Sequence, residues 1–148
     1  MTDTRNPAIA ALVLRVALGT MFIAHALLKY FVFTPAGTVQ FFESLGLPGF
    51  LAYATIVAEL AGGAMLILGV RTRVVAFALV PVLLGATWAH FGNGWMFAAP
   101  KGGWEYPAFL TLAAVVVGLL GEGRYSVNAR LAAARGAAGG LQRAGWVK

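Results

Sequence analysis

A chain of 148 residues that is 60% apolar and 11% charged, with a mean hydropathy of +0.81, lies well outside the roughly 45–50% apolar and 25% charged composition of water-soluble domains. That excludes an ordinary soluble enzyme, and the length has room for one domain of four membrane spans with short loops and a tail, not for a second catalytic domain. The absence of cysteine removes disulfides, thiol relays and cysteine-ligated iron–sulfur clusters, and the formal charge of +6 falls so unevenly that it reads as a topology signal, with no nucleic-acid partner expected.

The first apolar run, residues 7–28, follows the polar segment Thr2 to Asn6 and closes at Lys29 and Tyr30. It is too long for the apolar region of a signal peptide, it contains Arg15, and no small-x-small cleavage site precedes a soluble mature sequence, so retention as a span is expected. At about 100° per residue, Arg15, His25 and Lys29 share an arc of roughly 80°, which predicts that all three turn inward. The following loop carries Gly37-Thr-Val-Gln-Phe-Phe-Glu-Ser-Leu-Gly46, whose aromatic pair and terminal glycine predict a short helix in the membrane interface, placed to act as a lid.

A second span over 48–69 starts at Pro48 and stops at Gly69, with Glu59 near its centre. A carboxylate at such depth costs at least about 2.5 kcal/mol, so it is expected to face inward and be paired. Rise per residue puts Arg15 within reach below it, and an Arg15–Glu59 ion pair is the predicted arrangement. Ala54, Ala58 and Gly62, beside Gly63, form a small-residue face for close helix contact, as do Ala114 and Gly118 further on.

The third span covers 74–90 with Pro81 as a kink point, and the fourth covers 104–121. Between them, residues 91–103 lead into Trp104-Glu-Tyr-Pro107, a turn-rich aromatic cap at headgroup level. Beyond the four-span domain, 1–123, the basic tail 124–148 allows a short helix from Ser126 to Arg135, which Gly136-Ala-Ala-Gly-Gly140 would not sustain, so a lipid-facing or partly disordered tail is expected. Continuous apolar runs without strict alternation argue against a membrane barrel, so the fold class is all-α, a four-helix membrane bundle. Arg5, Arg15, Arg71, Arg73, Arg124, Arg130, Arg135, Arg143 and Lys148 stand against Lys29 and Lys101 on the other side, which places both termini in the cytoplasm of a cell with this protein in its inner (plasma) membrane.

With that orientation His25, His90 and Glu105 lie at one level near the outer face, Lys29, Glu43, Trp104 and Tyr106 converge on the same level, and Trp95 and Trp104 are expected as walls. Closed into a bundle, these residues predict a ligand-binding pocket open to the outer leaflet, where imidazole and carboxylate exchange protons and indole walls hold a flat ring. His25, His90 and Glu105 would offer ligands to a divalent metal, and two histidines at one level would suit haem. No His-x-x-x-His pair or comparable motif supports either, so neither metal nor haem is expected. No catalytic residue is assigned.

Arg15-Val-Ala-Leu-Gly19 with His25-Ala-Leu-Leu-Lys29, Gly46-Leu-Pro48, Glu59-Leu-Ala-Gly-Gly63 with Leu68-Gly-Val-Arg-Thr-Arg73, and Gly102-Gly-Trp-Glu-Tyr-Pro107 with Gly123-Arg-Tyr-Ser126, in that order, resemble the DoxX family of small membrane proteins over about residues 9 to 127. The resemblance implies a four-helix membrane bundle. It also implies an oxidoreductase association, since some relatives are described as the membrane subunit of a thiosulfate:quinone oxidoreductase or as partners in oxidative-stress complexes. Only Arg15, Lys29, Glu59 and Glu105 carry over to matching positions. The expected function is a redox-associated membrane subunit that binds quinone or a similar apolar ring near the outer face and works with a redox-protein partner. Further copies of the chain are a second expected partner. The alternatives are a non-catalytic membrane scaffold and a small lipid or solute carrier.

Overall fold

The computed structural model describes the backbone of residues 5–144 and the side chains of residues 6–135. Helix α1 (Arg5–Leu27) runs on into a π-helical turn (Leu28–Val32), followed by the short α2 (Pro35–Ser44), α3 (Phe50–Leu68) and α4 (Thr72–His90). A single 3-10 turn (Phe91–Asn93) and a loop lead to α5 (Glu105–Leu120) and then α6 (Val127–Ala144); no strand occurs among the described residues.

The stretches Asn6–Val32, Phe50–Leu68 and Thr72–Asn93 are each long and apolar enough to cross a bilayer. The helix over the fourth expected span is shorter: α5 has 16 residues, about 24 Å at 1.5 Å per residue against a hydrocarbon core of about 30 Å. Its ends are set by local chemistry, because the Trp104 and Glu105 N–H groups bond back to the carbonyls of Gly94 and Trp95, and Gly121 at φ 75° ends the helix. The protein is an all-helical membrane bundle. Its outward faces carry exposed apolar side chains such as Val13, Val57, Val74, Leu84, Phe109 and Leu119, as a lipid-facing surface requires.

In lipid there is no water to drive helices together, so close approach of backbones matters most. Helix α1 packs chiefly on α3 and α4 on α5, and contacts of α3 with α4 and of α1 with α5 close the ring. The α1–α3 crossing is reciprocal. A Cβ placed on Gly19 would stand 2.7 Å from the Gly63 carbonyl oxygen, and one on Gly63 would stand 2.7 Å from that of Gly19. Gly62 lies under Leu79 of α4, and Gly118 under Phe77. The small-residue face of α3 therefore runs through Ala52, Gly62 and Gly63, whereas Ala54 points outward, contrary to the four-residue spacing read from the sequence.

At the α3–α4 turn, Gly69 (φ 72°, ψ 40°) donates to Leu66 and Val70 donates to Met65, the Schellman pattern that only a left-handed residue completes. A side chain there would also run into the Arg15 guanidinium. α2 is the expected short helix: Pro35 opens it, the Thr34 hydroxyl accepts from Gly37 N–H at 3.2 Å, and it packs on α3. α4 continues through Pro81 without a break. α6 also continues where a break was expected, through Gly136, Gly139 and Gly140. Each glycine costs about 1 kcal/mol relative to alanine, so the helix continues in spite of them. The last four residues of the tail, 145–148, lie outside the described residues.

Gly19→Val or Gly63→Val is expected to destabilise the bundle by roughly 1–3 kcal/mol through overpacking, whereas Ala54→Val should stay within about 0.5 kcal/mol. Equilibrium unfolding in mixed micelles measures the contrast.

Candidate functional site

Arg15 is buried, at 1% exposure, and its guanidinium joins three segments of the chain. Nη1 donates to the carbonyls of Leu66 at 2.8 Å and Ile67 at 3.0 Å, and Nη2 donates to that of Tyr125 at 2.9 Å. The last turn of a helix presents carbonyls without intrahelical partners and the negative end of its dipole, so a cation is well placed at the end of α3. The expected Arg15–Glu59 pair is not formed. α1 and α3 run antiparallel and cross at Gly19 and Gly63, so a residue four positions before Gly19 lies beside Ile67, away from Glu59. These bonds also show that the N-terminal half of α1, the α3–α4 turn and the root of α6 share one end of the bundle, here the basic end, with α2 and the loop before α5 at the other.

Glu59, 5% exposed, pairs instead with Lys29, whose Nζ donates to Oε1 at 2.9 Å and Oε2 at 2.8 Å. The π-helical turn sets Lys29 in place: the Phe33 N–H reaches the Leu28 carbonyl five residues back, at 2.9 Å. Such turns are rare and often mark functional positions. The buried Thr38 of α2 donates toward the carbonyls of Lys29 and Thr34, at 3.2 and 2.9 Å, so the short helix is tethered to the residue that neutralises Glu59.

One turn before Lys29, His25 Nδ1 lies 2.8 Å from the Met21 carbonyl. A carbonyl only accepts, so Nδ1 carries the proton and Nε2 of the neutral ring is left as an acceptor; this tautomer is assigned from the bonding pattern. The imidazole stacks on Tyr106 with centroids 5.8 Å apart and planes at 25°, and the Tyr106 hydroxyl is buried without a hydrogen-bond partner. On its far side Tyr106 meets Phe97 at 5.3 Å, while Trp95 stands edge-on to Trp104 at 4.6 Å. Together with Glu105, Phe109 and neighbouring apolar residues of α5, these side chains enclose an open recess of about 680 Å³. The Glu105 carboxylate accepts the Phe97 N–H at 2.7 Å, which holds the aromatic loop against α5.

His90 has a different place. Its Nδ1 lies 3.1 and 3.3 Å from the carbonyls of Lys101 and Gly102, which Asn93 also bonds, and it does not line the recess. The expected convergence of His25, His90 and Glu105 thus divides: His25 sits behind Tyr106, His90 fastens the loop, and Glu105 fastens Phe97. Among the described residues, no group of three or more metal-binding side chains is assembled. Of the residues expected at the pocket, Trp95, Trp104, Glu105 and Tyr106 line it, whereas Lys29 is engaged by Glu59. Phe97, read only as part of the aromatic cap, and Phe109, read only as span, are walls that the sequence reading missed. Their spacing, three residues from Tyr106 on α5 for Phe109, was the available signal.

A helical membrane bundle with a buried glutamate paired to a partly buried lysine and an arginine-capped helix end is the class that these features define. The DoxX family model matches residues 10–92, more than half of the chain, and the chain belongs to the DoxX family. The match takes in Arg15, His25, Lys29 and Glu59 and stops before the aromatic loop. A protein of Bacillus subtilis (strain 168), CatD, named as a candidate oxidoreductase, is 42% identical over 78 residues, which are 53% of this chain and 57% of that protein. The chain thus spans little more than half the length of this relative. No solved structure matches it.

Lys29→Met leaves the buried Glu59 carboxylate uncompensated and is expected to cost about 3–5 kcal/mol, Glu59→Gln leaves only the partly buried Lys29 and should cost less, and the double variant K29M/E59Q recovers most of the larger loss. Equilibrium unfolding of the four proteins closes the cycle; additive losses would mean that the pair contributes nothing as a pair.

Proposed function

We propose that this protein is a redox-associated membrane subunit that binds a quinone, or a similar apolar ring compound, in the recess before α5. The reading is carried by one observation: an open volume of about 680 Å³ walled by Trp95, Phe97, Trp104, Tyr106 and Phe109 at the aromatic end of a membrane bundle. That volume falls in the usual range for small-molecule sites, and flat rings pack well between aromatic walls. The Tyr106 hydroxyl, buried and unpartnered, would donate a hydrogen bond to a ring oxygen, and His25 stacked behind it would accept or return a proton. Reduction of a quinone takes two electrons and two protons; a redox-protein partner would supply the electrons and this chain would hold and protonate the ring. The oxidoreductase name of CatD supports the same class. The uneven distribution of basic residues supports an aromatic end directed outward from the plasma membrane, with both termini in the cytoplasm.

Two of the four tryptophans, Trp95 and Trp104, line the recess, so a short-chain quinone is expected to quench tryptophan emission of the protein in nanodiscs to a saturable end point. W95F/W104F should abolish the saturable part, and Tyr106→Phe should weaken binding about threefold to tenfold for the loss of one hydrogen bond. Linear, unsaturable quenching that is identical in all variants would instead favour a scaffold whose polar groups serve packing alone.

A further inference from the structure

Helix α6 leaves the basic end of the bundle and packs substantially against no other helix among the described residues. Its root is nonetheless firmly held. Ser126, 1% exposed, accepts from Ala129 N–H at 3.1 Å and donates to the Gly123 carbonyl at 3.0 Å, while the Tyr125 carbonyl receives Arg15 and Asn128 donates to Glu122 at 2.7 Å. The helix therefore starts in a defined direction, and residues 130–135 are exposed throughout. From Arg124 to Lys148 the sequence contains five basic residues and no acidic one.

The order of those residues is informative. At about 100° per residue, Val127, Leu131 and Ala134 fall within an arc of about 60°, and Arg130 and Arg135 flank that strip on its two sides. Leu131, 50% exposed, and Ala134 are open, Val127 is 37% exposed, and no other helix among the described residues packs substantially on the strip. Arginines along the edges of an apolar strip can lay their methylene stems over it and extend their guanidinium groups toward phosphates. Arg71, Arg73 and Arg124 are exposed at the same end of the bundle and extend the positive field.

We propose that α6 lies flat on the leaflet at the basic end and is held there by anionic phospholipid, with Val127, Leu131 and Ala134 at the acyl boundary and Arg130 and Arg135 on lipid phosphates. The strip is narrow and partly alanine, so apolar burial alone is insufficient to hold it and negative surface charge decides the outcome. The bundle itself brings the helix to the membrane surface, which removes the cost of recruiting it from solution.

The chain has no cysteine, so single labels can be placed without background. Nitroxides at Ala134→Cys, on the strip, and at Ala132→Cys, about 130° of helix away from its centre line, are compared in the full chain by spin-label depth measurement. The discs contain either phosphatidylcholine alone or phosphatidylcholine with phosphatidylglycerol. The expected result is an Ala134 label that enters the acyl region only in the phosphatidylglycerol discs while the Ala132 label stays in water. Adding R130Q and R135Q should lower the docked-to-undocked ratio by roughly 25-fold, about fivefold for each arginine. Labels that remain in water in both discs overturn the proposal. So does insertion indifferent to lipid charge and to the arginines. Spin–spin broadening at Ala134, which would place a second copy's helix on the strip, overturns it as well.

Discussion

A charged group buried in a lipid environment has no water to fall back on, and the architecture of this protein follows from how Arg15 and Glu59 find partners inside the chain. Two solutions organise the bundle. Near the basic end, Arg15 satisfies backbone carbonyls at the close of α3 and at the root of α6. Toward the other end, Lys29 and Glu59 neutralise each other in a fork of two short bonds. Between them the reciprocal Gly19–Gly63 crossing brings α1 and α3 close enough for both sets of contacts. The three features depend on one another: a looser crossing would draw the side chains off their acceptors.

The same constraint distributes roles among residues that look alike in isolation. His25 and His90 both end a helix, yet one faces the interior beside Tyr106 and the other is fastened to the Lys101 and Gly102 carbonyls. Glu59 and Glu105 are both acidic residues of apolar helices, but Glu59 is an ion-pair member and Glu105 a clamp on the Phe97 amide. The polar interior and the aromatic recess therefore meet at a single residue, Tyr106, which lines the recess and stacks on His25. A ligand in the recess would lie one aromatic ring away from the ionised core. The link between α2 and that core through Thr38 gives the short helix a mechanical connection to Lys29 that its sequence alone does not suggest.

Much of the architecture was legible in residues 1–148 as a sequence. Apolar run length, Pro and Gly at run ends, and the depth of Glu59 determined that the chain is a helical membrane bundle, that α2 is short, and that Arg15, His25, Lys29 and Glu59 turn inward, because hydrophobic length and helical periodicity are local properties of the chain. Which cation meets Glu59, which small residues make the α3 contact, and how His25, His90 and Glu105 are shared out were decided only by tertiary structure. Each depends on the antiparallel register of two helices, on the extra residue wound into the π-helical turn, and on loop bonds spanning residues 93–105. Depth along the membrane normal can be counted from a sequence; azimuth and register between helices arise only when backbones meet at a specific crossing.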